Sequence, residues 1–208
     1  MPARRKINKD DIVNASVEII REEGMESLNA RRIAKELGCS TQPIFYIYSG
    51  MEDIKKDALR KIAKIFDEAM LKSNYDKPAY KDIGRNYIKF AKEEPIFFKL
   101  LFNSKINEGE IEFIQLTGSS EKIFETISNQ TGMPKDKVQF FHLKMWLYVN
   151  GIANLVSNKT CDFSDDEIDN LLKEQYISMI LLEIHNGILK RGHSRKCGKI
   201  LGKILLIS

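Results

Sequence analysis

The sequence predicts an all-α protein: an amino-terminal three-helix helix-turn-helix domain and a carboxy-terminal helical bundle, about nine helices in total. Three observations carry this. Apolar residues recur at helical spacing through nearly every segment. Capping boxes, glycines and prolines punctuate those segments where helices start and stop. No run of β-branched residues alternates with polar ones between turn dipeptides, so strand signals are absent.

The elements follow in order. Ile12, Ala15, Ile19 and Ile20 form one apolar stripe, which polar but small Ser16 interrupts only mildly. Asn8 or Lys9-Asp10 opens this helix and Gly24 ends it. A second helix runs from about Ala30 to Leu37 and stops at Gly38. A third begins at Ser40, a good N-cap, with Pro43 in its first turn where proline is tolerated. Ser49-Gly-Met-Glu52 has capping-box spacing and opens a fourth helix reaching about Lys72. Asn74 to Pro78 is a polar break. Pro78 can open a fifth helix over Ala79 to Lys92, and Pro95 a sixth. A seventh covers roughly Glu112 to Gln130, with Gly118 inside it. Gly132-Met-Pro134 precedes a long apolar helix, about Lys135 to Ser157. Ser164-Asp-Asp-Glu167 is a second capping box, and the last helix ends near Asn186. The predicted organisation is therefore 1–49, a helix-turn-helix domain; 50–74, a connecting helix; 75–187, a sensing and dimerisation domain; and 188–208, a basic tail, disordered or an appended or read-through segment.

Composition narrows the function classes. The 208 residues are 43% hydrophobic and carry a net charge of +4. The stretch from Gly187 to Ser208 holds six of the 33 basic residues and no acid, which leaves 27 basic against 29 acidic residues elsewhere. No protein-wide positive field exists, so any nucleic-acid site must be local. Cys39, Cys161 and Cys197 are far apart and form no metal-spaced cluster, so no metal and no cofactor is expected. Met1 to Lys6 is basic without an apolar core behind it, and no run of 18 apolar residues exists. A cytoplasmic protein with no membrane partner is the expectation.

The informative segment is Leu28 to Ile54, LNARRIAKELGCSTQPIFYIYSGMEDI. Two short helices meet at Gly38, which can supply the left-handed turn. Ile33, Ala34 and Leu37 on one, and Ile44, Ile47 and Tyr48 on the next, can face a common core with the first helix. This is a helix-turn-helix, whose second helix enters the DNA major groove. The recognition helix, about Thr41 to Ile47, would expose Ser40, Thr41, Gln42, Phe45 and Tyr46. Gln42 can pair with adenine, Ser40 and Thr41 can reach base edges or phosphate, and Pro43 and the rings can touch thymine methyls. Cys39 through Gly50 carries no charge. Phosphate contacts must then come from Arg4, Arg5 and Lys6 in the amino-terminal arm, from Arg31 and Arg32, and from Lys55 and Lys56.

Asn29-Ala-Arg31-Arg-Ile33-Ala34-Lys35-Glu36-Leu37-Gly38-Cys-Ser40, Ile44-Phe45-Tyr46-Ile47-Tyr48 and Glu52-Asp53-Ile54 together resemble the signature of the tetracycline-repressor (TetR-like) family over about the first 60 residues. That resemblance implies a dimeric, sequence-specific transcriptional regulator, usually a repressor released by a ligand, and adds Asn29 to the DNA-contact set. There are departures. Met51 stands where the family has a phosphate-binding lysine, Phe45 where it has a tyrosine, and Asn29 where threonine is usual. The second domain is similar to a class carrying Trp-x-x-x-His-Gly; here Trp146-Leu-Tyr-Val-Asn150-Gly151 puts Asn150 in place of the histidine. Tyr87-Ile-Lys-Phe90 and Phe98-Lys-Leu-Leu-Phe102 also look like that class. The resemblance implies an effector pocket in each subunit of a two-fold dimer.

Read physically, the second domain is rich in aromatic residues, most of which serve as core. Polar company singles out a subset. His142, Trp146 and Asn150 recur at i, i+4 and i+8 on one helix face, and with Tyr87, Phe90 and Phe102 they are the candidate site for a small amphipathic effector. His142 is equally readable as a satisfied core histidine. The last two helices, about 135–157 and 165–186, carry apolar stripes wide enough to bury one face on the body and one on a second copy. Ile152, Leu155, Val156, Ile168, Leu171, Leu172, Tyr176, Met179 and Ile180 form these stripes. The expected partners are thus a palindromic double-stranded DNA operator, a second subunit and a small effector.

Two other classes compete. A helical small-molecule or lipid carrier, or an enzyme, could use the amino-terminal domain as scaffold. No nucleophile elbow, phosphate loop, HExxH or paired-carboxylate arrangement supports catalysis, and Glu93-Glu94 and Asp165-Asp166-Glu167 read as caps, so no enzyme is expected. A sequence-indifferent architectural protein fits poorly with a near-neutral body, because such binding is mostly phosphate neutralisation.

Overall fold

The computed structural model describes residues 7–72, 79–102 and 119–189. Among these the chain forms nine α-helices and no strand. They are α1 (Lys9–Glu23), α2 (Ala30–Glu36), α3 (Gln42–Phe45), α4 (Met51–Met70), α5 (Tyr80–Glu93), α6 (Pro95–Phe102), α7 (Ser119–Thr131), α8 (Lys135–Ser157) and α9 (Asp165–His185), with a 3-10 turn at Met25–Ser27. Arg4, Arg5 and Lys6, the break at Asn74 to Pro78, the segment before Ser119 and the tail beyond Leu189 lie outside the described residues. The described residues divide into two compact units: 7–68 with 93–102, and 69–72, 79–92 and 119–189.

The first unit is built around α1. Its start is fixed by a reciprocal cap: the Asn8 side chain accepts from the Asp11 N–H at 2.9 Å, and the Asp11 carboxylate accepts from the Asn8 N–H at 3.0 Å. Ile12, Ile19 and Ile20 are fully buried. Ser16 is buried with them, because its hydroxyl donates to the Ile12 carbonyl at 2.7 Å and carries no unmet polar group inward. Burying each of these aliphatic side chains stabilises the unit by about 2 kcal/mol. α1 packs on α2 and α6. The Arg21 guanidinium lies 4.9 Å from the Phe97 ring centroid and donates to Glu94 at 3.1 Å, tying α1 to α6.

The turn between α2 and α3 requires glycine. Gly38 sits at φ 63°, and the Cys39 N–H returns to the Ala34 carbonyl at 2.9 Å, which closes the end of α2. α3 is a single turn, shorter than Thr41 to Ile47. Ile44 and Tyr48, four apart, are buried, whereas Ile47 is 37% exposed. Ile47 falls on the shoulder of the Ile44–Tyr48 stripe, so the expectation that it joins the core is not met. At the start of α4 the Ser49 hydroxyl engages the Asp53 carboxylate, while Glu52 pairs with Lys55 at 2.9 Å. Ile54, Ala58 and Ile62 bury one face of α4 completely. Phe66, further along it, meets Phe102 edge-on at 5.1 Å.

In the second unit α5 approaches α8 and α9 closely. A Cβ at Gly84 would stand 3.4 Å from Leu172 Cδ1 and 3.9 Å from Val149 Cγ2. Lys81 and Arg85 both bind Asp169 on α9. α8 buries Val138, Phe141, Met145, Val149, Ile152 and Val156 at helical spacing. The Ser164–Glu167 capping box that opens α9 forms as expected. Lys144 of α8 reaches buried Glu183 of α9 at 2.6 Å. Asn86 donates to the Met70 and Lys72 carbonyls at 3.1 and 2.8 Å, satisfying the carboxy end of α4. No helix among the described residues is long and apolar enough to cross a membrane.

Candidate functional site

The first unit presents α3 outward. Gln42, Phe45 and Tyr46 stand at i, i+3 and i+4, so they share a face, and all three are exposed. Phe45 is 49% and Tyr46 78% exposed, large values for aromatic rings. The Gln42 amide donates to the Tyr46 hydroxyl at 2.6 Å. Ser40 is exposed, and Thr41 and Pro43 are half-buried beside them.

The flanking cations differ in availability. Arg32 is bound by Glu23 at 2.8 Å and by Glu36 at 2.8 Å, and these bonds raise its pKa further. Arg31, its neighbour, is exposed and makes no ion pair among the described residues. Lys55 is paired with Glu52; Lys56 is exposed. Asn29 is occupied locally. It accepts from the Arg32 N–H at 3.0 Å as the N-cap of α2 and donates to the Ser27 carbonyl at 3.1 Å.

Beneath α3 lies a cluster that the sequence reading did not find. Tyr48, 6% exposed, donates from its hydroxyl to Asp57 of α4 at 2.9 Å. Asp57 also binds Lys9 of α1 at 2.8 Å and Arg60 at 2.9 Å. The Lys9 hydrogen bond, followed by those of Tyr48 and Arg60, holds the Asp57 carboxyl below its ordinary value against the opposing effect of burial. Burial and the Asp57 hydrogen bond push the Tyr48 hydroxyl upward, so it stays protonated and donates. One carboxylate thus joins α1, the segment leaving α3, and α4. The only signal in the sequence was a lone aspartate on the polar side of α4, which reads as solvated surface.

In the second unit two hydrogen bonds involve the candidate effector residues. Tyr87 donates to the Asn150 side chain at 3.0 Å, and the Tyr80 hydroxyl lies 2.9 Å from His142 Nδ1. Phe124 and Tyr80 meet the imidazole edge-on at 5.6 and 5.9 Å, and Phe141 and Tyr176 pack beyond Tyr80. Burial lowers the His142 pKa from 6.5 to about 4, so the ring is neutral. Phe90 is buried and Trp146 half-buried. Phe102 belongs to the first unit, with Phe66 and Phe98. Tyr80 and Tyr176 were missed as members of this group. Tyr80 stands seven residues before Tyr87, which puts it on the same helix face and was a usable signal. Among the described residues no group of three or more His, Cys, Asp or Glu side chains could hold a metal.

The apolar stripes of α8 and α9 divide differently from expectation. Ile152, Val156, Ile168, Leu172, Met179 and Ile180 are core. Leu171 and Tyr176 are half-buried. The exposed apolar residues are Phe140, Leu143, Leu147 and Leu155 on α8 and Leu182 on α9. They repeat every three to four residues or a multiple of that, a second stripe separate from the buried one.

Comparison with known proteins gives the fold. No protein-family profile and no curated protein matches the chain. Solved structures do. One from Rhodococcus sp., described as a TetR-family transcriptional regulator, is similar with a TM-score of 0.60 at 17% identity, covering 82% of this chain and 97% of its own. One from Vibrio parahaemolyticus, also described as a TetR-family transcriptional regulator, has a TM-score of 0.57 at 15% identity, covering 81% and 96%. The multidrug binding protein EbrR, complexed with ethidium, has a TM-score of 0.55 at 14% identity, covering 84% and 98%. At these identities the likeness is one of fold, and the chain has the all-helical TetR-like fold over most of its length.

Proposed function

We propose that the chain is a sequence-specific DNA-binding transcriptional regulator that acts as a homodimer and whose operator affinity responds to a small effector in the second unit. The observation that carries this reading is the exposed face of α3, Gln42, Phe45 and Tyr46, displayed after the Gly38 turn with exposed Arg31 on the preceding helix. A helix-turn-helix that offers a polar amide, rings and a nearby exposed cation has the parts for base and phosphate contact. The amino-terminal arm Arg4 to Lys6 and Lys55 would add phosphate contacts.

Dimerisation supplies two half-sites, which a single short recognition helix needs for useful affinity. The exposed stripe from Phe140 to Leu155 on α8, with Leu182 on α9, is the surface we assign to it. The effector would engage the group around Tyr87, His142, Trp146 and Asn150, which is aromatic with few polar atoms. The fold neighbour complexed with ethidium directs attention to planar aromatic compounds. Binding there would favour one spacing of the two recognition helices and operator binding another, so each ligand weakens the other. The domain roles then follow: 1–49 reads DNA, 50–74 connects, and 75–187 senses and dimerises.

The test is selection of bound duplexes from a randomised pool, followed by gel-shift titration. A palindromic site with half-sites about one helical turn apart is expected. Gln42→Ala should relax the preference at one base pair, and Arg31→Ala should weaken all sequences alike. Salt-labile binding without enrichment of any sequence would sink the proposal. Trp146, the one tryptophan of the chain, gives a fluorescence readout for effector candidates.

A further inference from the structure

α3 has little of its own to fix the direction in which it points. It is a single turn, Gln42–Phe45, and its N-cap Thr41 makes no side-chain capping bond. A helix this short is not stable by itself, so its neighbours set its pose. Its inward anchors are Ile44, fully buried, and Tyr48, also buried, whose N–H returns to the Ile44 carbonyl at 3.0 Å. Ile47 beside them is exposed and adds no such anchor.

The two anchors differ in kind. Burial of Ile44 is non-directional: it holds α3 down without fixing its roll. The bond from the Tyr48 hydroxyl to Asp57 at 2.9 Å is directional, and the backbone bond from Tyr48 to Ile44 passes that direction to α3. Asp57 is itself held in place, by Lys9 of α1 at 2.8 Å and by Arg60 at 2.9 Å. The Lys9 ammonium also lies 5.4 Å from the Tyr48 ring centroid, so one cation braces both partners. The neighbouring Ser49–Asp53 bond is exposed at both ends, where water competes for it. The better shielded tie is therefore the one from Tyr48 to Asp57.

We propose that Asp57 is a positioning residue for DNA reading: through the Tyr48 hydroxyl it sets the angle at which α3 presents Gln42, Phe45 and Tyr46. This rests on the proposed function and names what orients its recognition surface. Base contacts need atoms placed to within about 0.5 Å, whereas phosphate attraction reaches over a Debye length of about 10 Å at 0.1 M salt. Loosening α3 therefore lowers affinity for the preferred sequence and spares sequence-blind binding. Discrimination falls while the salt dependence, set by Arg31 and the other cations, does not change.

The test uses the full chain, the duplex selected from the randomised pool and a duplex of scrambled sequence. Tyr48→Phe removes only the hydroxyl from a buried ring, and circular dichroism checks that it folds. Its preference for the selected over the scrambled duplex should fall on the order of tenfold. Its affinity for the scrambled duplex, and the slope of log affinity against log salt, should stay as they are. Lost stability alone removes active protein and lowers both affinities together, so the ratio separates positioning from folding. Asp57→Asn keeps an oxygen for the Tyr48 hydroxyl and should lose no more than about threefold in the same preference. An unchanged ratio in Tyr48→Phe, or a loss in Asp57→Asn as large as that in Tyr48→Phe, overturns the inference and leaves the proposed function standing. Failure of the unaltered chain to select any sequence overturns both.

Discussion

The Tyr48–Asp57 bond gives a quantitative test of how α3 is held. Three variants are needed: Tyr48→Phe, Asp57→Ala, and both together. Lys9 and Arg60 are 61% and 66% exposed, so their bonds to Asp57 contribute no more than about 1 kcal/mol each. The Tyr48 hydroxyl is different, because its ring is 6% exposed and its acceptor is a carboxylate whose side chain is 16% exposed. A hydrogen bond to a charged group in such a place contributes about 1.5–3 kcal/mol, and deleting the acceptor strands the phenol. Tyr48→Phe should therefore cost about 1.5 kcal/mol, since Asp57 keeps Lys9 and Arg60. Asp57→Ala should cost about 3 kcal/mol. The double variant should cost little more than Asp57→Ala alone, a coupling of about 1–2 kcal/mol. Urea unfolding followed by far-UV circular dichroism at pH 7 measures all four corners. The sign with pH follows from the lowered Asp57 pKa. The stabilisation is present above the ordinary carboxylate value of 3.8 and is lost as pH falls through the lower folded value, so the coupling should fade towards pH 3. A coupling within 0.3 kcal/mol of zero at pH 7, on the order of the scatter in such cycles, would refute the role given to this bond.

Three further outcomes are expected. His142 is neutral in the folded state with a pKa of about 4 against an ordinary 6.5, so the unfolded chain binds the extra proton in that window. Acidification from pH 6.5 to 4 should remove about 3 kcal/mol, and His142→Phe should flatten that segment of the stability–pH curve; an unchanged slope contradicts the burial argument. At Gly84, alanine adds a Cβ in ordinary contact with Leu172 and removes a helix-interior glycine, so thermal denaturation should show Gly84→Ala stabilised by up to about 1 kcal/mol. Gly84→Leu should instead lose about 1–3 kcal/mol by overpacking, and equal tolerance of both would mean the crossing is looser than 3.4 Å implies. Finally, Phe140→Ser with Leu147→Ser should yield a monomer in sedimentation velocity with its helix content retained, because both side chains are more than half exposed; a persistent dimer would move the interface elsewhere.

Among the described residues, helix number and most boundaries were legible because the governing signals are local. Asn8, Gly24, Gly38 and Ser164 act on backbone groups within a turn of themselves, and each marks the end or start that its chemistry demands. The outward face of α3 was legible too, since the spacing of Gln42, Phe45 and Tyr46 needs only helical geometry. Which apolar stripe of a two-stripe helix turns inward was not. Ile152 and Phe140 are equally apolar in sequence, and only the packing of α5 and α9 on α8 decides that the first is core and the second surface. Asp57 was illegible for a related reason. Its partners Tyr48 and Lys9 lie outside α4, and one sequence carries no record of that pairing. The expectation that Ile47 joins the core failed because it rests on the apolar side chain alone, whereas its angular position lies off the Ile44–Tyr48 direction.

Lys144 holds Glu183 at 2.6 Å and lies 4.9 Å from the ring of Phe140, at the edge of the exposed α8 stripe. If a second copy covers that stripe, the pair loses what water it still touches. A charged pair sealed in this way adds little to the strength of association, but a mismatched neighbour that displaced either group would leave a bare charge in an apolar seam, at a cost of about 3–5 kcal/mol. Cells that hold several regulators of one fold face the hazard of mixed dimers, whose two halves would seek different operators. If the chain is the dimeric regulator proposed above, Lys144 and Glu183 would make such mispairing expensive, acting less as glue than as a check on self-recognition.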